Sequence, residues 1–171
     1  TGVQTCALPI CQDQASQAFA KPDHSPVTVA DYGAQALICR TLRNQFPTDP
    51  IVGEEDDQIL SCPAMTSCLH QVTQYLQNLE HEPGEITAED VLGWVGQGRG
   101  KVGQRFWTLD PIDGTKGYVR GDQYAIALTL IEEGVLQVGV MVCPALPLSF
   151  GAASSPPNPP MKADDSLDRK S

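Results

Sequence analysis

Two aspartates three residues apart, Asp110 and Asp113, have the types and spacing that point most directly to chemistry in this sequence. The apolar run 106–109 before them predicts a strand, and a proline and a glycine flank the second aspartate. A tight turn at the end of a strand can direct both carboxylates and the Ile112 carbonyl toward one point. Because clustered oxygen ligands suit hard cations such as Mg²⁺, we expect half of a magnesium site here.

Two further acidic groups lie upstream, at Asp31 and at Glu54–Glu55, and each group has a purely structural alternative. Thr28 fits a helix N-cap and Asp31 fits the acidic member of its capping box, so Asp31 could serve the helix alone. The acidic run 54–57 could be an exposed turn. An ordinary turn is also the alternative for the two later aspartates, since Asp, Pro and Gly favour turns. Their apolar context counts against it, because buried acids are costly without a cation.

The elements that must position these residues follow from apolar periodicity. Spacings of three and four residues predict three helices: one that follows Thr28 and ends at Phe46–Pro47, one from Met65 to Leu79, and one from the Thr87 cap to Trp94. Apolar and β-branched runs predict the remaining strands, Ile51–Val52, Tyr124–Ile131 and Val135–Val142. Residues 21–28 are interpreted as a loop. Residues 96–103 are interpreted as a flexible connector, because they lack the G-x-x-x-x-G-K-[ST] spacing of a phosphate loop.

Composition narrows the class of protein. The 171 residues, 41% hydrophobic and 19% charged, are typical of one globular domain with a substantial core. A net charge of −10 argues against a non-specific nucleic-acid binder, which needs a basic face. No apolar run approaches the roughly 18–20 residues that span a bilayer. The six cysteines form no C-x-x-C pair and no signal-peptide pattern opens the chain, so we expect free thiols, no structural zinc and a cytoplasmic location.

Three segments follow from the same patterns. Residues 1–11 show no clear period and are interpreted as a non-native segment. Residues 12–150 are interpreted as a metal-binding α+β domain. The polar, proline-rich residues 151–171 are interpreted as a disordered tail.

The order of the motifs resembles one enzyme family. T-x-x-D begins at Thr28, G-E-E at Gly53 and W-x-L-D-P-I-D-G-T at Trp107. Together they resemble the lithium-sensitive, magnesium-dependent phosphatases of the inositol monophosphatase superfamily. Within it, S-P-V-T before Asp31 and T-K-G-Y-V-R-G-D-Q-Y from Thr115 are most similar to the 3'(2'),5'-bisphosphate nucleotidases. Inositol monophosphatases usually carry Thr-Asn-Phe in place of this T-K-G. The resemblance covers about residues 12–150.

This resemblance implies a fold and a metal site. The fold is α+β: the N-terminal half of the layered αβαβα sugar-phosphatase fold, with helices packed on a mostly antiparallel sheet. The cofactor is Mg²⁺, two or three ions. Its ligands on this chain are the carboxylates of Glu54, Asp110 and Asp113 and the carbonyl of Ile112.

The resemblance also implies roles for the remaining site residues. Asp31 and Thr115 match the pair that orients and deprotonates the attacking water. Glu55 would support the metal beside its neighbour. The backbone N–H groups of Gly114 and Thr115, with the threonine hydroxyl, would face the substrate phosphate.

The reaction implied is hydrolysis of the 3'-phosphate of 3'-phosphoadenosine 5'-phosphate to AMP and phosphate, in sulfur metabolism, with 3'-phosphoadenosine 5'-phosphosulfate as a second substrate. The partner is then a small nucleotide bisphosphate, not a nucleic acid or a membrane; the oligomeric state stays open. Family members are about twice this length, and their second half carries W-D-x-A-x-G with a further metal ligand. That motif is absent from this sequence, so we expect an N-terminal half with an incomplete site. The alternatives are an inositol phosphate phosphatase and an inactive truncated fragment.

Overall fold

A hairpin of two three-residue strands, β1 (Ala18–Ala20) and β2 (Pro26–Thr28), opens the described part of the chain. The computed structural model describes residues 18–79 and 86–146, so the interpretations of residues 1–11 and 151–171 lie outside the described residues. The loop interpretation of 21–28 is wrong for its last three residues, which pair antiparallel with β1. Three residues are too few for an alternating apolar pattern to be seen in the sequence.

The long helix α1 (Val29–Gln45) begins and ends where the sequence predicts. Thr28 caps it through the predicted capping box with Asp31, and Phe46 follows its last turn. Twelve of its residues are buried, and they lie on both sides of the helix. Ile38 packs toward the sheet, whereas Tyr32 packs toward other helices. α1 is therefore a central layer between a sheet and a helical layer, and its apolar residues are buried on both of its sides.

The remaining helices of the described residues include two that were predicted and two that were not. In chain order they are α2 (Asp57–Leu60), α3 (Thr66–Leu79, after a 3₁₀ turn over Pro63–Met65), α4 (Ala88–Gly96) and α5 (Thr115–Arg120). The predictions of α3 and α4 are confirmed, and both pack against α1. α2 and α5 are too short to show a helical period, and α2 begins inside the acidic run that was read as a turn.

Four strands form the main sheet of the described residues: β3 (Ile51–Gly53), β4 (Arg105–Asp113), β5 (Ala125–Glu132) and β6 (Val135–Val142), side by side in that order. β3 and β4 run parallel, and the two later pairs run antiparallel, so the prediction of a mostly antiparallel sheet is confirmed. β6 has its predicted bounds. β4 extends beyond its apolar run and includes both aspartates of the motif.

The glycine-rich stretch is more than a connector. The Gly53 N–H donates to the Gly98 carbonyl at 2.7 Å, and the Gly100 N–H donates to the Ile51 carbonyl at 2.7 Å. Val52 and Arg99 form an antiparallel bridge between these two bonds. The interpretation of residues 96–103 as a flexible connector is therefore wrong for residues 98–100, which are paired with the free edge of β3.

The core has two parts, one on each side of α1. Ile38 and Ile51 belong to the part beneath the sheet, and Leu76 belongs to the part among the helices. Cys39 and Cys68 are buried free thiols, as expected from the sequence. None of the helices within residues 18–79 and 86–146 combines the length and the apolar character that crossing a bilayer requires.

Ile38→Ala should lower the free energy of unfolding by about 2–5 kcal/mol, because Ile38 is fully buried between α1 and the sheet and truncation leaves a cavity. Urea unfolding measures this change. The control is Leu136→Ala on β6, where the side chain is 63% exposed and the loss should be below about 1 kcal/mol. Equal losses in the two variants would contradict the two-layer core.

Candidate active site

The turn that follows the ladder of β4 sets the geometry of the site. The β4–β5 register shifts between Asp110, opposite Ala127, and Asp113, opposite Ala125. Pro111 lies in this irregular part, where its missing N–H removes no ladder bond. Gly114 then adopts φ 90° and ψ 38°, a left-handed conformation that favours glycine, and α5 begins directly after it. The bulge and the glycine together place both aspartates and the start of α5 at one end of the sheet.

The parallel neighbour β3 brings Glu54 to the same end. Gly53 lies opposite Leu109, and the Glu54 N–H donates to the Leu109 carbonyl at 3.1 Å. Burial, a hydrogen bond with Glu54 and the nearby charges of Glu54 and Asp113 together raise the pKa of Asp110 to about 7. The Asp110 Oδ1 atom is buried and has no hydrogen-bond partner among the described residues. A buried, unpartnered oxygen among like charges indicates a place for a cation.

The chemistry of this donor set fits Mg²⁺, although the carboxylates have not closed around a common point. Glu54, Asp110, Asp113 and the Ile112 carbonyl all offer hard oxygen ligands at one end of the sheet. No group of three or more His, Cys, Asp or Glu side chains within residues 18–79 and 86–146 has the arrangement of a metal cluster. Like-charged carboxylates repel one another, and a cation bound among them would offset that repulsion.

Asp31 serves the helix cap and the site at the same time. Its Oδ2 accepts from the Thr28 N–H at 2.7 Å and from the Thr28 hydroxyl at 2.5 Å. Its Oδ1 accepts from the Thr115 hydroxyl at 3.3 Å, and that hydroxyl also lies 3.1 Å from the Ile112 carbonyl. Asp31 is fully buried, and burial raises its pKa to about 6. The structure therefore brings Asp31 and Thr115, which are 84 residues apart, into contact. The alternative that Asp31 serves only the helix cap explains the contacts of Oδ2 but not the contact of Oδ1.

Glu55 is the most deeply buried member of the acidic run. Its side chain is 1% exposed, so the alternative of an exposed acidic turn is wrong for Glu55, whereas Glu54 is 45% exposed. Lys21 donates to Glu55 Oε1 at 2.8 Å and lies 3.8 Å from Glu54. Burial raises the pKa of Glu55 to about 7, against the opposing pull of Lys21. Glu55 Oε2 has no hydrogen-bond partner among the described residues.

Lys21 is the site residue that the sequence does not reveal. It lies 34 residues before Glu55, on the hairpin between β1 and β2, and no local motif links the two. One signal was available, because a buried carboxylate requires a partner and the acidic run contains no cation of its own. That requirement does not say which of the chain's 11 Lys and Arg residues supplies it.

A cleft of about 240 Å³ lies over these groups. Its walls come from the hairpin loop, from the residue after β3 and from the first turn of α5: Ser25, Pro26, Glu54, Gly114, Thr115 and Lys116. The cleft thus lies between the proposed metal ligand of β3 and the two residues expected to bind phosphate. Its size suits a small substrate group.

Family comparison agrees with this arrangement. A model of the inositol monophosphatase family matches residues 4–157. The chain belongs to the inositol monophosphatase family. Its curated relatives include the 3'(2'),5'-bisphosphate nucleotidase of Schizosaccharomyces pombe, 42% identical over 156 residues, which cover 86% of this chain and 44% of that protein. The 3'(2'),5'-bisphosphate nucleotidase 1 of Arabidopsis thaliana is 40% identical over 149 residues, covering 82% and 42%. The chain therefore spans less than half the length of these relatives.

Solved structures show the same family fold. An IMPase from Thermotoga maritima matches with a TM-score of 0.50 at 23% identity, covering 84% of this chain and 40% of that structure. The extragenic suppressor protein of Bartonella henselae matches with a TM-score of 0.50 at 20% identity, covering 83% and 41%. The expected α+β fold, as part of a larger family fold, is thereby confirmed.

Stability without metal should fall as the pH rises from about 5 to about 8. Asp31, Glu55 and Asp110 have pKa values of about 6, 7 and 7, raised first of all by burial. These values lie above the ordinary values near 4, so in this range the folded chain holds protons that the unfolded chain has released. Thermal midpoints in EDTA measure the effect.

Glu55→Gln is the control for this pH dependence, because it removes one of the three carboxylates that are costly to ionise. The slope of midpoint against pH should become shallower in this variant. A midpoint that is constant or rises from pH 5 to 8 in the parent chain would contradict the assignment of raised pKa values.

Proposed function

We propose that this site belongs to a Mg²⁺-dependent 3'(2'),5'-bisphosphate nucleotidase that removes the 3'-phosphate of 3'-phosphoadenosine 5'-phosphate to give AMP and phosphate. The observation that carries the proposal is the meeting of Asp31 and Thr115 at the end of β4, beside a cleft that Glu54 also lines. The names of the relatives that match over most of this chain support the choice of substrate. The sulfated nucleotide 3'-phosphoadenosine 5'-phosphosulfate is proposed as a second substrate.

Glu54, Asp110, Asp113 and the Ile112 carbonyl are the proposed ligands on this chain for two or three Mg²⁺ ions. Mg²⁺ bound there would screen the phosphate charge and lower the pKa of a bound water. Glu55 lies next to the ligand Glu54, and its contact with Lys21 fixes the orientation of its carboxylate. We propose that Glu55 supports the metal site indirectly, through its neighbour Glu54.

Asp31 and Thr115 are the proposed base and its relay. Asp31 Oδ1 already accepts from the Thr115 hydroxyl, so that hydroxyl can accept a proton from an attacking water as it passes its own to Asp31. A carboxylate that burial has made more basic takes up a proton more readily, which suits this role. The Thr28 hydrogen bonds to Oδ2 keep the carboxylate in one orientation.

The first turn of α5 is the proposed phosphate-binding surface. Gly114 and Thr115 line the cleft, and the left-handed Gly114 begins the helix without a side-chain cap. Their backbone N–H groups and the Thr115 hydroxyl supply donors for phosphate oxygens. Donors fixed in the backbone need no rearrangement as the phosphoryl group transfers, which favours the transition state.

The direct test is phosphate release by the purified chain in the presence of Mg²⁺, from 3'-phosphoadenosine 5'-phosphate and from an inositol bisphosphate. We expect release from the nucleotide and inhibition by added Li⁺. Preference for the inositol phosphate would favour the other branch of the family, and release from neither substrate would favour the alternative of an inactive truncated fragment.

Asp113→Asn should abolish stabilisation by Mg²⁺, because Asp113 is a proposed ligand that faces solvent at the end of β4. With Mg²⁺ at about ten times its dissociation constant, the parent chain should gain about 1.4 kcal/mol, or about 3–6 °C in thermal midpoint. Differential scanning fluorimetry measures the shift.

Asp122→Asn is the matched control for that substitution. Asp122 has a side chain that is 64% exposed and pairs with the exposed Arg120. It carries the same charge change outside the cleft, so the Mg²⁺ shift should remain. If both variants lost the Mg²⁺-induced shift in thermal midpoint, the shift would depend on the net charge of the chain, which would count against a specific site.

A further inference from the structure

Gln35 makes an unusual set of contacts for a buried amide. It lies in the second turn of α1, is fully buried, and belongs to none of the motifs discussed above. Its Nε2 donates to the Glu55 carbonyl at 2.6 Å and to the Val95 carbonyl at 3.2 Å. Its Oε1 accepts from the Glu55 N–H at 2.9 Å. The side chain thus pairs with both backbone groups of Glu55, as a neighbouring strand would.

Two glycines make room for this amide. A Cβ built on Gly53 would lie 2.6 Å from Gln35 Oε1, and a Cβ built on Gly98 would lie 2.7 Å from Gln35 Nε2. Both distances are too short for any side chain at these positions while the amide stays in place. By contrast, a Cβ on Gly103, in the same glycine-rich stretch, would meet nothing within 4 Å. Within residues 98–103, the requirement for glycine is therefore confined to the positions that touch Gln35 or a neighbouring backbone.

Gln35 completes a series of backbone bonds along the segment that carries the two glutamates. The Gly53 N–H donates to the Gly98 carbonyl, and the Glu54 N–H donates to the Leu109 carbonyl. β3 ends at Gly53, and the bond from Glu54 to β4 is the last of this series, so Glu55 has no strand partner among the described residues. The Gln35 amide supplies that missing partner.

We propose that Gln35 is a positioning residue for the metal site, which acts by holding the backbone of Glu54–Glu55; this inference rests on the proposed function. Fixing the backbone of Glu55 fixes the direction in which Glu54 leaves β3, toward Asp110 and the cleft. It also directs the Glu55 carboxylate to Lys21. Without the amide, the buried N–H and carbonyl of Glu55 lose their partner and the segment must rearrange.

Mn²⁺ binding by the purified chain, followed by electron paramagnetic resonance, tests the positioning role. Gln35→Ala should weaken Mn²⁺ binding by at least about tenfold, at a temperature where near-ultraviolet circular dichroism shows the variant to be folded. Thr73→Val is the control, since it removes a hydrogen bond from a similarly buried residue on α3 that does not contact Glu54 or Glu55. Unchanged Mn²⁺ affinity in folded Gln35→Ala would overturn the proposal.

Amide hydrogen exchange tests the contact between Gln35 and the Glu55 backbone in the absence of metal. In Gln35→Ala the Glu55 amide should exchange on the order of a hundredfold faster, while amides in α3 keep their rates. Absence of Mn²⁺ binding by the parent chain would sink the proposed function, whereas an unchanged exchange rate at Glu55 would sink the role of Gln35. The two failures are therefore distinguishable.

Gly98→Ala tests the same contact from the opposite side. It should accelerate exchange at Glu55 and lower the thermal midpoint, whereas Gly103→Ala should do neither. In a Gln35→Ala background the effect of Gly98→Ala should shrink, because the side chain it meets is gone and the remaining close contact is with the Val95 carbonyl at 3.1 Å. Equal effects of Gly98→Ala in both backgrounds would mean that Gln35 is not the reason for this glycine.

Discussion

Repulsion among carboxylates gathered at one end of the sheet is the constraint on which the rest of the site depends. Asp31 and Glu55 are buried, and Glu54 lies close enough to Asp110 to raise its pKa. Two like charges about 4 Å apart repel by about 4 kcal/mol at the effective dielectric of a protein surface. A few such pairs would equal the net stability of a domain, about 5–15 kcal/mol. The fold must therefore supply each carboxylate with a donor, a cation or a proton.

The carboxylates of this site differ in the partners that the fold gives them. Asp31 shares its two oxygens between the N-cap of α1 and Thr115, so the residue that starts the helix also reaches the site. Glu55 takes Lys21 from a separate hairpin. Asp110 keeps one buried oxygen without a partner among the described residues. That difference is informative, because both oxygens of Asp31 and one oxygen of Glu55 have partners, whereas the unpartnered oxygen of Asp110 is where the proposed Mg²⁺ would bind.

Sequence patterns predict the local features of this fold, but they do not reveal the contacts that Lys21 and Gln35 make with residues far along the chain. The capping box of Thr28 lies within one helical turn, and the bounds of β6 follow from its own residues. The motif around Asp110 identifies the family without any knowledge of its neighbours. Lys21 and Gln35 act on residues 34 and 20 positions away, so no periodicity or spacing reveals them. Short elements such as α2 and α5 fall below the length at which a helical period can be recognised.

The glycines at positions 98 and 100 are required for packing, which their sequence pattern alone does not indicate. A G-x-G-x-G stretch suggests phosphate binding or flexibility, but its sequence spacing does not match a phosphate loop, and its last three residues are paired with β3. A Cβ on Gly100 would lie 2.5 Å from the Ile51 carbonyl oxygen, and a Cβ on Gly98 would lie 2.7 Å from the amide nitrogen of Gln35. Both glycines are needed because a paired segment and a buried amide pack tightly beside β3. Tight packing there would restrict Glu54, the proposed metal ligand, to one direction, and a ligand held in one direction loses less conformational entropy on binding.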